Sequence, residues 1–153
     1  MIAFILAGSS FLTVAMAFTG LPKNLAVVSD TLQLSPYMLL LVLTLFYIIL
    51  GMFLDGISAV VLTMAIIEPM IRQAGFDMIW VGIYLVIVVE MAQITPPVGF
   101  NLFVLQGMAE KDMGFIARRA FPLFLLMVLA TVIIIIFPEI ALWLPEKMIQ
   151  NIN

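Results

Sequence analysis

Long apolar stretches separated by short polar segments run along the chain, and they predict helices that cross a membrane. Residues 1–21 are apolar over about the length that a helix needs to span a bilayer core. Residues 22–36 mix polar side chains with leucine and valine, which favours a short amphipathic helix at the membrane interface. Residues 120–137 predict a final span. Basic residues within 111–119 place that loop in the cytoplasm by the positive-inside rule.

Residues 37–73 form an apolar segment that is too long for one span and too short for two. About 35 helical residues would extend roughly 50 Å, whereas a bilayer core is about 30 Å thick. The interruption at residues 51–58 lies near the middle, so each flank is too short to cross. We therefore predict a re-entrant hairpin, in which two half-helices meet at a tip inside the membrane. A tight turn between two short helices is the alternative interpretation of residues 51–58.

Residues 78–109 predict a membrane helix that is broken near its middle. Pro96 and Pro97 remove two backbone donors and block the helix ahead of them, and Gly99 then lets the chain turn. Because unpaired carbonyls are costly in hydrocarbon, such a break persists where something polar occupies it. A broken membrane helix therefore indicates a binding site for an ion or a transported solute. A plain proline kink is the alternative.

Composition narrows the class of protein. The chain has 153 residues, of which 65% are hydrophobic and 10% charged, against about 25% charged in a soluble domain. It is therefore an integral membrane protein, with the lipid bilayer as its surroundings. The absence of cysteine excludes disulfides, and the absence of histidine removes the usual metal ligand. The first residues lack the basic region of a signal peptide, which is typical of an internal position in a longer membrane protein.

The hairpin tip and the helix break are expected at similar depth, where they would offer oxygen ligands. Asp55 brings a carboxylate, Ser58 and Thr95 bring hydroxyls, and the interrupted backbone brings free carbonyls. Oxygen ligands without imidazole or thiolate suit a hard cation such as sodium. Half-helix N-termini would face an anionic substrate, so four residues are predicted to contact it: Ser58, Pro97, Gly99 and Asn101.

Two acidic residues in apolar surroundings have alternative interpretations. Asp55 is costly in lipid and by default functional, but aspartate also favours the N-cap of a helix, and both roles can hold together. Glu90 is either a proton or ion group, or a side chain that pairs with a polar neighbour. Trp80 and Trp143 are expected to be interface anchors.

Two motifs at this spacing resemble those of a known family. Residues 50–55 read Leu-Gly-Met-Phe-Leu-Asp, and residues 90–103 read Glu-Met-Ala-Gln-Ile-Thr-Pro-Pro-Val-Gly-Phe-Asn-Leu-Phe. With Pro69 and the Gly-Phe-Asp of residues 75–77, they strongly resemble the C-terminal third of the large membrane subunit of tripartite ATP-independent periplasmic (TRAP) transporters. The resemblance covers about residues 1–137.

The resemblance implies sodium-coupled uptake of an organic acid across the bacterial inner membrane, without covalent catalysis. It implies a periplasmic binding protein that delivers the substrate, a small membrane subunit, and a fold of two inverted repeats. The sodium site it implies uses the carbonyls of Gly51, Ala92 and Val98 and the oxygens of Thr95, and we add Asp55 as a candidate ligand. Ala92 departs from the family, which usually has glycine there.

The hairpin motif of the other, N-terminal repeat is missing from these 153 residues. The resemblance therefore implies half of the transport machinery, as a fragment or a truncated gene product. Three rival functions stay open. One is another sodium–dicarboxylate symporter, and one is a purely structural membrane subunit. The third is an intramembrane aspartyl protease, which needs two carboxylates close together, whereas Asp55 has no apparent aspartate partner.

Overall fold

A computed structural model describes residues 2–20, 35–96 and 99–150, and all regular structure in these ranges is α-helical. The predicted all-α class is therefore confirmed. The described helices are α1 (Ile2–Thr19), α2 (Pro36–Gly51), α3 (Gly56–Gln73), α4 (Met78–Gln93), α5 (Phe100–Ala109), α6 (Met113–Ile136) and α7 (Glu139–Gln150). By length and composition, α3 and α6 are able to cross a membrane. Nearly all of the predicted interfacial segment, residues 22–36, lies outside the described residues.

Helices α2 and α3 occupy the segment predicted as a hairpin, and side-chain caps define where each begins. Ser35 caps α2 by accepting a hydrogen bond from the backbone N–H of Met38 at 3.3 Å. Asp55 caps α3 by accepting from the backbone N–H of Ser58 at 3.1 Å. Because of this cap, α3 has 18 residues and is longer than the half-helix we expected from residue 59. Its length of about 27 Å approaches a bilayer core, while α2 is shorter at about 24 Å.

Helix α4 lies at the centre of the packing and contacts α2, α3, α5, α6 and α7. Its contact with α2 includes a polar cluster, in which the Tyr84 hydroxyl donates to the Leu40 carbonyl at 2.8 Å and lies 2.6 Å from the Thr44 hydroxyl. Trp80 is buried and its indole N–H donates to the Ile134 carbonyl of α6 at 3.0 Å. The expectation that Trp80 is an interface anchor was therefore wrong, because this ring packs inside the helix bundle.

Helix α6 runs alongside both halves of the interrupted helix. At one end, Ile116 and Ala120 pack against the buried Leu102 of α5. At the other end, Ile134 accepts the hydrogen bond from Trp80 of α4. Ile116 and Ile134 lie about 27 Å apart along a helix axis. Residues 80–102 thus extend over roughly the thickness of one bilayer core, with the break inside it.

Helix α6 begins at Met113, seven residues before the predicted span of residues 120–137. Asp112 supplies the reason, since its carboxylate accepts from the Gly114 N–H at 2.9 Å and caps the helix. The prediction placed residues up to Arg119 in a loop because Arg118 and Arg119 are charged. Both arginines are exposed in the first turns of α6, where long basic side chains can reach toward water.

Candidate functional site

The helix break begins where two consecutive residues lack a backbone N–H. A helical carbonyl accepts from the residue four positions ahead, or three in a tightened last turn. For Gln93, those donors would come from Pro97 and Pro96, and neither has one. No backbone N–H of the described residues donates to the Gln93 carbonyl. Gln93 was not among the site residues predicted from the sequence, although the same spacing rule, applied to the two prolines, identifies it.

Thr95 connects the end of α4 to the start of α5. Its N–H donates to the Ala92 carbonyl at 3.1 Å, and its hydroxyl donates to the Met91 carbonyl at 2.7 Å. Its own carbonyl accepts from the Gly99 N–H at 3.1 Å. The hydroxyl proton is therefore engaged, while the hydroxyl oxygen keeps lone pairs that a cation could use.

Glycines allow the hairpin tip to contact the last turn of α4. A Cβ atom at Gly51 would lie 2.6 Å from the Cβ of Ala92, closer than real side chains approach. A Cβ atom at Gly56 would lie 2.8 Å from Val89 Cγ1 and would overlap the Gln93 amide. Both ends of the tip are therefore in direct contact with the turn that precedes the break. The backbone can approach this closely only because neither glycine has a side chain.

Gly99 brings the start of α5 back against the same turn. A Cβ atom there would lie 2.9 Å from the carbonyl carbon of Gln93. Gly99 is buried, and α5 begins at the next residue. The Gly51 carbonyl, like that of Gln93, receives no backbone hydrogen bond from the described residues. The tip and the break thus bring two unpaired carbonyl acceptors to one part of the fold.

The structure brings some of the predicted site residues together and leaves others apart or undescribed. Gly51 meets Ala92, and Asp55 lies beside Gly56 at the same tip. Ser58 is buried in the first turn of α3, where its N–H serves the Asp55 cap. Asn101 lies in the first turn of α5 and is half-buried. Pro97 and Val98 lie outside the described residues.

The cap at Asp55 gives a prediction that separates its two possible roles. Asp55→Asn keeps a capping oxygen, so the free energy of unfolding should change by a few tenths of a kcal/mol, whereas Asp55→Ala should lower it by about 0.5–2 kcal/mol. Thermal unfolding of the complete membrane protein measures both. Asp112→Ala, which removes an exposed cap of the same kind from α6, is the matched control. If Asp55→Asn destabilises as much as Asp55→Ala, the carboxylate does more than cap the helix.

Apolar helices, an interrupted helix and a helical hairpin packed against the interruption are typical of α-helical membrane transporters. Comparison with known proteins specifies the family. The family model described as tripartite ATP-independent periplasmic transporter, DctM component, matches residues 1–140. This chain belongs to that family, as its motifs predicted.

Individual relatives are named as large permease proteins of TRAP transporters. The chain is 31% identical over 146 residues to the C4-dicarboxylate TRAP transporter large permease protein DctM of Pseudomonas aeruginosa, covering 95% of this chain and 34% of the relative. It is 32% identical over 126 residues to the 2,3-diketo-L-gulonate TRAP transporter large permease protein YiaN of Escherichia coli, covering 80% and 29%. It is 26% identical over 126 residues to the sialic acid TRAP transporter large permease protein SiaM of Vibrio cholerae, covering 82% and 30%. The chain thus spans about a third of the length of these relatives.

Proposed function

We propose that this chain is the C-terminal part of a sodium-coupled permease subunit that takes up small organic acids. The observation that carries the proposal is the contact between Gly51 of the hairpin tip and Ala92 in the last turn before the break. Secondary transporters commonly build an ion site near the middle of the membrane from a broken helix whose unwound carbonyls coordinate the ion. In the proposed protein, sodium binding orders the tip, and the ordered tip favours the anionic substrate by reciprocal linkage.

The oxygen ligands present at the hairpin tip and at the helix break fit sodium. No backbone N–H of the described residues donates to the carbonyls of Gly51 and Gln93, and Thr95, two residues after Gln93, offers its hydroxyl oxygen. The Ala92 carbonyl has a second lone pair in addition to the one that accepts from Thr95, and Val98 is a further candidate by family resemblance. Hard oxygen donors of this kind suit a hard cation. Sodium would neutralise these carbonyl dipoles and hold tip and break together.

The proposed substrate and partners follow from the family. Relatives are named for C4-dicarboxylates, 2,3-diketo-L-gulonate and sialic acid, so we propose a dicarboxylate or an acidic sugar. The first turns of α3 and α5, with Ser58, Gly99 and Asn101, are the candidate contacts for its carboxylate, because helix N-termini attract anions. We further propose a periplasmic binding protein, a small membrane subunit, an N-terminal repeat of the permease, and an inner-membrane location.

The rival protease function needs paired carboxylates, and Asp55 and Asp77 lie near opposite ends of α4. Asp77 caps the start of α4, accepting from Ile79 and Trp80. Asp55 lies at the hairpin tip that contacts the opposite end of α4. The 16 residues of α4 separate these ends by about 24 Å. Proton sharing between carboxylates requires direct contact, so this pair does not support aspartyl protease chemistry.

Cysteine labelling tests the re-entrant hairpin. We expect Ser35→Cys and Gln73→Cys to react with a membrane-impermeant thiol reagent from the same side, because both half-helices return to the face they entered. The 153 residues contain no native cysteine, so each introduced thiol is the only one in this part of the protein. Labelling from opposite sides would mean that the segment crosses the membrane, and the proposed pairing of tip and break at mid-depth would be lost.

A further inference from the structure

A cavity of about 510 Å³ lies where α3, α4 and the start of α5 meet. Five aliphatic side chains from α3 and α4 form much of its wall, and Phe100 adds an aromatic side. Three polar side chains, Asp55, Glu90 and Gln93, complete the lining. The cavity is therefore apolar over most of its surface with a few polar groups, which is the usual composition of a binding cavity.

Gln93 is a polar residue of this cavity whose amide lacks a hydrogen-bond partner among the described residues. Its side chain is 7% exposed, and its amide makes no hydrogen bond to any residue that the structure describes. The amide atoms remain accessible from the cavity, and a ligand that covered them without a hydrogen bond would leave them unsatisfied at a cost in free energy. Gln93 lines the cavity, so a ligand there is positioned to satisfy it.

Glu90 adds an unpaired negative charge to the same cavity. It lies one turn before the end of α4, between helical residues that are almost all apolar. In the described part of the chain, the one ion pair joins Arg72 to Glu68 at 2.9 Å, and no basic residue lines this cavity. An intramembrane carboxylate is expensive without a partner of opposite charge. Asp55 contributes a second carboxylate, so the cavity attracts cations, and the proposed substrate contacts Ser58, Gly99 and Asn101 do not line it.

The size of the cavity indicates a cationic group with an apolar body. A water molecule occupies about 30 Å³ of liquid, and a bare monovalent ion would leave most of this cavity empty. Lysine and arginine side chains combine a long apolar stem with a charged head. The stem would pack against the aliphatic wall while the head reaches Glu90 and Gln93. About two thirds of the length of the relatives lies outside this chain, which leaves ample protein to supply such a side chain.

We propose that the cavity receives a lysine or arginine side chain from the part of the permease outside residues 1–153, and that this side chain pairs with Glu90 and hydrogen-bonds to Gln93. The inference rests on the proposal that the chain works as one part of a larger permease. It does not depend on sodium coupling. The proposed assembly contact in this cavity is separate from the backbone carbonyls of the candidate ion site.

Photo-crosslinking in the complete permease identifies the occupant. A photoreactive amino acid is placed in turn at Ile57, Val61 and Val86 on the cavity wall, and at Leu126 on α6 as the control. We expect the three wall positions to crosslink, as mapped by mass spectrometry, to one helix outside residues 1–153 that carries a lysine or arginine, and Leu126 to miss that helix. Crosslinks confined to lipid, to another subunit or to residues 1–153, or no crosslinks at all, would overturn the proposal.

A charge exchange then tests the chemistry of the contact. Glu90 is exposed on this chain and would be covered by the proposed partner. Glu90→Ala should lower the melting temperature of the complete permease by at least roughly 5 °C, because the basic partner would be left inside the protein without its counter-charge. Glu90→Lys should be worse, and replacing the crosslinked basic residue by glutamate should restore stability in that background. Glu68→Gln, which breaks the exposed pair with Arg72, is the matched control and should have little effect.

A Glu90→Ala protein that melts like wild type, or a Glu90→Lys defect that the exchange leaves in place, would refute the pairing. Sodium-dependent stabilisation that persists in these variants would leave the proposed transport function intact.

Discussion

Gly51→Leu in the complete transporter is expected to abolish sodium-dependent stabilisation and sodium-driven uptake. The position has no room for a side chain, since even a Cβ atom would lie 2.6 Å from the Cβ of Ala92. Overpacking of this kind costs about 1–3 kcal/mol and is relieved by shifting the backbone. Here the shift would move the hairpin tip away from the break and separate the carbonyls that are proposed to bind sodium. Sodium should therefore give no stabilisation of the variant even at roughly a hundred times the concentration that half-saturates the wild-type protein.

Smaller substitutions make the same test more selective. Gly51→Ala should weaken sodium binding, and Gly51→Ala combined with Ala92→Gly should recover it, because the exchange moves one methyl group across the contact. Gly82→Ala is the control. Gly82 lies on α4, as Ala92 does, and nothing lies within 4 Å of a Cβ atom built at Gly82. It should be neutral or slightly stabilising, as expected for alanine in place of glycine in a helix. If Gly51→Ala behaves like Gly82→Ala, the tip does not depend on close contact with α4.

Local sequence signals predicted the positions where helices stop. Pro96 and Pro97 lack backbone donors, and the structure ends α4 at Gln93 and resumes with α5 at Phe100. Asp55 was recognised as a possible N-cap, and its carboxylate does accept from the Ser58 N–H. These features depend on bonds between residues close in sequence, so the residue types themselves determine them.

Features that depend on distant contacts were less predictable. Trp80 has the amphipathic composition of an interface anchor, but its burial depends on Ile134 of α6, which is distant in sequence. The early start of α6 was missed because the basic residues up to Arg119 were interpreted as a loop, and the cap at Asp112 was not recognised. The close approach of Gly51 to Ala92 depends on how two helices pack, which no local pattern specifies. Gln93 was not predicted because tandem prolines mark the break directly, whereas the carbonyl that they leave without a donor lies three and four residues earlier in the chain.

Sodium titration of Thr95→Val tests the proposed ion site most directly. The complete permease is purified, and its melting temperature is followed as sodium chloride replaces choline chloride at constant ionic strength. Valine keeps the shape of threonine and removes one oxygen. Losing a ligand bond to a charged group costs about 1.5–3 kcal/mol, so the sodium concentration for half-maximal stabilisation should rise roughly ten- to hundredfold. Thr131→Val is the control, because the Thr131 hydroxyl donates to the Met127 carbonyl of its own helix α6 in the same way as the Thr95 hydroxyl donates to Met91. The account predicts a large shift for Thr95→Val and none for Thr131→Val, whereas equal sodium dependence in wild type and both variants would contradict a sodium site at the break.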